Sequence, residues 1–179
     1  MDKAVFLDRD GTINVDVGYI NNPDDFELIP RSLDALLLLQ KAGFKLFIVS
    51  NQSGIGRKFI THSQLKAVHG KMASLLSPHG ISFHEIYYCP HHPDEECQCR
   101  KPNPLFVRKA AHEYNLDLSK SWFVGDKTAD VQCGKNAGCR SILVKTGYGG
   151  NDKQHSAKAD FVAADLFEAA QHIIKIDKG

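Results

Sequence analysis

"KAVFLDRDGT", residues 3–12, is an apolar run that breaks at once into charge. The apolar part reads as a short buried strand. Asp8 and Asp10 follow without a linker, so that strand delivers two carboxylates to its carboxyl end. Working outward, the same grammar recurs. "RSLDALLLLQKAG" (31–43) has helical periodicity with Gly43 as a stop, and "FKLFIVS" (44–50) is strongly β-forming. "THSQLKAVHGKMASLLSPHG" (61–80) opens on a Thr or Ser cap and carries an apolar stripe at Leu65, Val68 and Met72. "FHEIYYC" (83–89) is a third strand, and "NPLFVRKAAHEYN" (103–115) is a helix with Pro104 suited to its first turn. "SWFVG" (121–125), "KTADVQCGKNAG" (127–138) and "RSILV" (140–144) continue as strand, helix and strand. Residues 146–160 are polar and glycine-rich, hence a loop; "DFVAA" adds a short strand and 165–176 a final helix.

Strands alternating with helices across short links imply a parallel sheet covered on both faces, a three-layer Rossmann-like α/β fold. The whole chain, 1–179, reads as one domain, without internal repeats or a dividing linker. About 40 residues separate Asp8 from Ser50 and about 50 separate Ser50 from Lys101, and much of each interval is already helix and strand. No large cap domain fits. Loops such as 14–27 and the cysteine-rich segment near residue 90 are left to cover the site.

Bulk properties narrow the class. Hydrophobic residues are 42% and charged residues 24% of the chain, a globular profile. The net charge of +1 gives no electrostatic reason for a nucleic-acid or membrane partner. No signal-peptide core or membrane-length apolar stretch is visible, so cytoplasmic residence and a monomer are the expectations. Disulfides are rare in the cytoplasm, and five is an odd number of cysteines.

In open parallel sheets ligands gather at the carboxyl ends of the strands. Those ends carry "DRDGT" (8–12), "SNQSG" (50–54), "RKP" (100–102) and "GDKTAD" (125–130). Each alone is an ordinary polar turn. Together they bring Asp8, Asp10, Ser50, Lys101, Asp126 and Asp130 to one edge. Converging carboxylates repel unless a cation joins them, and Mg²⁺ is the hard, oxygen-liking candidate. An ionised Asp can attack phosphorus, and a second carboxyl two residues on can protonate the leaving oxygen. Lys101 and the Ser50 hydroxyl can hold phosphoryl oxygens.

The segment "CPHHPDEECQCRKP" (89–102) holds three of the five cysteines and two histidines. In extended chain, residues i and i+2 point the same way, pairing Cys89 with His91 and Cys97 with Cys99. Two such pairs can close a tetrahedron around Zn²⁺ as a structural site, a small zinc-binding loop. His92 is the rival to His91. The knot would fix Arg100 and Lys101 over the phosphate site. Cys133 and Cys139 read as buried apolar filler; His62, His69, His79, His84, His112, His155 and His172 show no partner pattern, and most of them read as surface residues.

These four motifs, in this order over residues 4 to about 146, resemble the haloacid dehalogenase superfamily of aspartate-nucleophile phosphatases. "DRDGTINVDVGYI" (8–20), "SNQSGIGR" (50–57), the Cys/His segment and "CRKPNP" (99–104) are similar to its heptose bisphosphate phosphatase branch. The resemblance implies Asp8 as nucleophile and Asp10 as acid/base. It implies Mg²⁺ on the Asp8 and Asp126 carboxylates and the Asp10 backbone carbonyl, and Zn²⁺ in the Cys/His knot. It places substrate contacts at Asp16, Val17, Gly18 and Tyr19, at Ser50, Asn51, Gln52 and Ser53, at Arg100 and Lys101, and at Lys127. It also implies that the C7 phosphate of a phosphorylated sugar is removed, on the way to heptose nucleotides of the bacterial envelope. Asp130 is expected to support the metal from behind, the other option being a bond to backbone one turn from Asp126. A second phosphate needs further cations, from Arg100 and from Arg57 with Lys58. Histidinol-phosphate phosphatase is the neighbouring reading. A polynucleotide 3′-phosphatase and a non-catalytic phosphosugar-binding module are more distant ones.

Overall fold

The computed structural model describes residues 1–179. Six strands, β1 (Ala4–Leu7), β2 (Lys45–Asn51), β3 (Glu85–Cys89), β4 (Trp122–Gly125), β5 (Arg140–Val144) and β6 (Phe161–Ala163), form one sheet. Their order is β3-β2-β1-β4-β5-β6, and every pair is parallel. The helices are α1 (Ser32–Lys41), α2 (His62–Leu76), α3 (Leu105–Glu113), α4 (Thr128–Ala137) and α5 (Leu166–Asp177).

Strand residues go alternately to two cores. Val5, Leu7, Ile48 and Val124 join one with Leu36 of α1, Met72 of α2 and Ile173 of α5. Phe6, Phe47, Val49 and Phe123 join the other with Val107 of α3 and Cys133 of α4. Both faces are therefore dry, which is why the strands read as unbroken apolar runs. No helix is long and apolar enough to cross a membrane.

Helix ends follow local chemistry. Thr61 and Gln64 satisfy each other's backbone N–H at the start of α2, a reciprocal cap. That helix stops at Leu76, short of residue 80, because Pro78 opens a 3₁₀ turn over Ser77–His79. α3 is likewise shorter than 103–115: Pro104 stands at its N-cap, and Asn115 turns left-handed at φ 51°.

Two features place the site. The connections after β1 and after β4 run to opposite sides of the sheet, so β1 and β4 flank the crevice of a doubly wound sheet. The register pairs Leu7 with both Ile48 and Val124, so Asp8 leaves the sheet one step before Ser50 and Asp126.

Candidate active site

The carboxyl ends of β1 and β4 carry a nearly dry cluster of charge. Asp8, Asp126, Asp130 and Lys101 are 4%, 0%, 1% and 4% exposed. Lys101 Nζ lies 2.8 Å from Asp8 Oδ1 and 2.7 Å from Asp130 Oδ1, and donates to the Val49 carbonyl at 2.7 Å. Burial works against its charge, but the Asp130 and Asp8 carboxylates outweigh it and push the ammonium pKa up. Lys101 is thus a permanent cation, fixed to the end of β2.

One cation cannot neutralise three carboxylates. Burial, then the charges of Asp8 and Asp130, push Asp126 up to about 8. Burial likewise lifts Asp130 to about 6, against the pull of Lys101. Asp126 Oδ2 accepts from the Tyr148 N–H at 2.7 Å, while Oδ1 is enclosed with no partner. One carboxylate oxygen from each of Asp8, Asp126 and Asp130 lies within 4.8 Å of the others. An orphaned buried oxygen within such an all-carboxylate set fits a hard divalent cation. Asp130 has a further duty, since its Oδ2 accepts from the Lys127 N–H at 2.9 Å, capping α4. Of the two options open from sequence the bond to backbone is present, and a pair with Lys101 at 2.7 Å joins it. Gly125 makes this approach possible, because a Cβ there would collide with the Asp130 side chain.

Asp10 faces a different environment. Arg9, a guanidinium only 1% exposed, reaches it from the interior. Asn14 Nδ2 and Gln52 Nε2 add donors at 2.9 and 2.8 Å. Burial opposes the anion, yet Arg9 and these hydrogen bonds win and hold the Asp10 carboxyl below its usual range. Gln52 Nε2 also donates to Ser50 Oγ at 2.8 Å, leaving the Ser50 hydroxyl proton free. Sequence reading missed Arg9 altogether. His69, one of the histidines for which sequence offered no partner pattern, is half-buried with its Nε2 enclosed and unpartnered; burial, then the Arg9 charge, push it down to about 4.

The Cys/His segment folds into a second cluster. Cys89 Sγ is 3.4 Å from His91 Nδ1 and 3.5 Å from Cys97 Sγ, and His91 Nδ1 is 3.2 Å from Cys99 Sγ. A Zn–S length of about 2.3 Å sets tetrahedral edges near ~3.8 Å, so the donor set fits a closed site. Burial pushes the Cys89 and Cys99 thiols up, and a bound cation is what would keep them as thiolates. His92 instead accepts from the Asp94 N–H at 3.2 Å. The knot is joined to the catalytic edge at several points, among them the Gln52 N–H donating to the Cys89 carbonyl at 2.8 Å. Asn51 accepts from the Lys101 N–H at 3.0 Å and donates to its carbonyl at 3.2 Å. Gly56 donates to the Pro90 carbonyl at 2.8 Å, where a Cβ would strike the backbone of His91 and His92.

A cavity of about 620 Å³ opens above these groups. Of the sequence-named contacts, Asp16, Gly18, Tyr19, Asn51, Gln52, Ser53, Arg100, Lys101 and Lys127 line it. Ser50, only 2% exposed, and Val17 do not: Asp16 Oδ1 accepts from the Gly18 N–H at 2.9 Å, leaving Val17 at the tip of that turn, 59% exposed. Arg57 lines the cavity but Lys58, in a left-handed turn at φ 62°, does not. Arg100 Nη1 is enclosed without a partner. The loop after β5 forms an unforeseen wall through Tyr148, Asp152 and Gln154. It is pinned there by Thr146 Oγ1 donating to the Gly11 carbonyl and by Asp152 capping Thr128. No periodicity announced this wall; the only signal was its run of glycines.

Comparison with known proteins follows the same lines. The HAD-hydrolase-like family matches residues 98–169. A D-glycero-D-manno-heptose-1,7-bisphosphate 7-phosphatase of Chlorobaculum tepidum is 39% identical over 93% of this chain and 92% of its own. The D-glycero-beta-D-manno-heptose-1,7-bisphosphate 7-phosphatase of Escherichia coli K12 is 40% identical over 98% and 95%. The crystal structure of D,D-heptose 1,7-bisphosphate phosphatase from B. bronchiseptica, complexed with magnesium and phosphate, superposes with a TM-score of 0.90. It is 35% identical and covers 97% of this chain and 99% of that one. With such identity along nearly the full length of both partners, and with a sheet edge built for phosphoryl chemistry, this chain belongs to the heptose bisphosphate phosphatase branch of the HAD-like phosphomonoester hydrolases.

Proposed function

We propose that this protein is a cytoplasmic phosphatase that removes the C7 phosphate of D-glycero-β-D-manno-heptose 1,7-bisphosphate, with Mg²⁺ at the carboxylate cluster and Zn²⁺ in the Cys/His knot. The relatives named above supply the substrate. The observation that carries the reaction is the Asp8 carboxylate, ion-paired at 2.8 Å with a buried Lys101 at the edge of a polar cavity.

The chain's own groups divide the work. Asp8 attacks phosphorus, and the P–O bond to the sugar breaks as an aspartyl-phosphate forms. Lys101 and the free Ser50 proton hold phosphoryl oxygens in place. Asp8 and Asp126, with the Asp10 carbonyl, would hold Mg²⁺, which would supply the charge neutralisation that lets two anions meet. Asp10 gives its proton to the departing sugar oxygen. It then takes a proton from the water that attacks the aspartyl-phosphate, returning Asp8 and releasing phosphate. A dianionic phosphate arriving beside Asp10 raises its proton affinity, offsetting the depression caused by Arg9.

Specificity rests on the cavity walls. Arg57, Arg100 and Lys127 line it beyond the catalytic lysine, and the Arg100 Nη1 donor is unspent. Asp16 pairs with Lys127 at 3.6 Å, and the Asp152 oxygens are occupied by the Thr128 N–H and hydroxyl. Such a wall favours a second phosphate and disfavours the ammonium of histidinol phosphate. The test is a parallel kinetic comparison of the α and β heptose 1,7-bisphosphates and histidinol phosphate with Mg²⁺, using Asp8→Asn as control. The β bisphosphate should have the highest kcat/KM, and Asp8→Asn should turn over none. Histidinol phosphate matching the bisphosphate would overturn the substrate assignment.

A further inference from the structure

Arg9 stands out because a guanidinium is buried to 1% exposure although none of the reactions above uses it. Its Nε and Nη2 donate to Asp10 Oδ1 at 3.2 and 2.8 Å, and Nη2 also reaches Oδ2 at 2.8 Å. Its backbone N–H donates to Asp8 Oδ1 at 2.8 Å. Its carbonyl accepts from Ile13 and Asn14 at 2.8 and 3.2 Å, closing the turn after β1. One residue thus holds both carboxylates of the motif, the first by main chain and the second by side chain.

The two oxygens of Asp10 are not equivalent. Oδ1 takes donors from Arg9 and Asn14, and neither residue lines the cavity. Oδ2 takes Arg9 Nη2 and Gln52 Nε2, and Gln52 lines the cavity together with Asp10. A carboxylate torsion is broad when nothing restrains it. A fork that grips both oxygens in one plane removes that freedom, as an ammonium could not.

We propose that Arg9 is a positioning residue for proton transfer: its guanidinium locks the Asp10 carboxylate so that Oδ2, with Gln52 as a displaceable placeholder, is the oxygen that exchanges the proton. In the first half-reaction the proton leaves Oδ2 for the sugar oxygen. In the second, Oδ2 takes a proton from water as that water forms its bond to phosphorus and the bond from phosphorus to Asp8 breaks. Arg9 touches neither substrate nor phosphorus. This inference rests on the aspartyl-phosphate reading above.

The test uses p-nitrophenyl phosphate and the metal-loaded protein in a stopped-flow experiment. Nitrophenolate leaves as a stable anion without an acid, so only the second half-reaction needs a placed Asp10. In Arg9→Met, one equivalent of nitrophenolate per active site should still appear in a burst, while the turnover that follows falls about 100-fold. Arg9→Lys keeps the charge but not the fork; it should show the same burst with turnover about 10-fold down. It also carries the test if the Met variant does not fold. Unchanged turnover in the variants, or burst and turnover falling together, would overturn the proposal. Asp8→Asn should show no burst; a burst there would remove the nucleophile assignment and the Arg9 proposal with it, whereas failure in the Arg9 variants alone would leave the nucleophile standing.

Discussion

The chain gathers metal-ligating side chains twice, in opposite ways. The carboxylate cluster draws Asp8 from the end of β1 and Asp126 and Asp130 from the β4–α4 junction, all nearly excluded from water. The Cys/His knot draws Cys89 from the end of β3 and His91, Cys97 and Cys99 from the irregular loop that follows, and only Cys89 is buried. Strand ends hold the first cluster whether or not a cation is present, at the expense of mutual repulsion. The second is anchored at Cys89 by the sheet and at Pro90 by Gly56, but residues 92–99 between its ligands are irregular. A metal in the first would serve chemistry on a preformed frame, and a metal in the second would fix a loop that the sheet anchors at one end only.

The strongest way to break this contrast is Asp8→Asn. The variant should lose more than ~10⁴-fold in kcat on the phosphorylated substrate while keeping its melting temperature, because the sheet does not depend on that charge. A large fall in melting temperature would mean that the cluster is structural after all. Next in size is Cys97→Ala. Loosening the loop misplaces Arg100 and Lys101, and kcat/KM should fall ~10- to 100-fold while Mg²⁺ affinity, read by calorimetry, stays the same. Wild-type rates in the zinc-free variant would show that the knot positions nothing.

Thermal melts with and without Mg²⁺ at two pH values sharpen the first half of the comparison. In the folded, metal-free chain Asp126 is lifted from 3.8 to about 8 and Asp130 to about 6. The native state therefore holds protons that the unfolded chain has released, and stability falls as pH rises from about 4 to about 8. Protons and Mg²⁺ compete for the same oxygens, so the cation should raise the melting temperature more at pH 8 than at pH 5. At a hundredfold excess over Kd the gain is about 2.7 kcal/mol, or ~5–10 °C for a chain of this size. An equal shift at both pH values would contradict it. The smallest effect belongs to Gly56→Ala. Its Cβ would strike the His91–His92 backbone, so the knot must shift. Stability should drop by ~1–3 kcal/mol and activity a few-fold, with the carboxylate cluster's Mg²⁺ affinity untouched.

Much of this was legible before any coordinates. The two cores on opposite sheet faces are written in strands such as Ala4–Leu7, which are apolar at every position. The Cys/His pairs were readable because i and i+2 in extended chain share a side, a rule needing only three residues. Asp8, Asp10, Lys101 and Asp126 were readable because each directly follows a strand or the knot. Val17 lies outside the cavity lining because a turn decides which of its residues faces inward, and the Asp16–Gly18 bond sets that turn.

What the chain alone determines about this protein is thus local: the succession of strands and helices, their caps, the ligand spacing of the knot, and the carboxylates each strand delivers. Only the tertiary structure decides that β1 lies between β2 and β4, which brings Asp8 beside Asp126 and under Lys101. It alone buries Arg9 beneath Asp10, gives Asp130 to Lys101, and folds the loop after β5 over the cavity. The reason is range. Periodicity and capping are settled within a few residues, whereas a strand's neighbour and a buried charge's partner are chosen by contacts between segments far apart in sequence, where burial and charge pairing outweigh local preference.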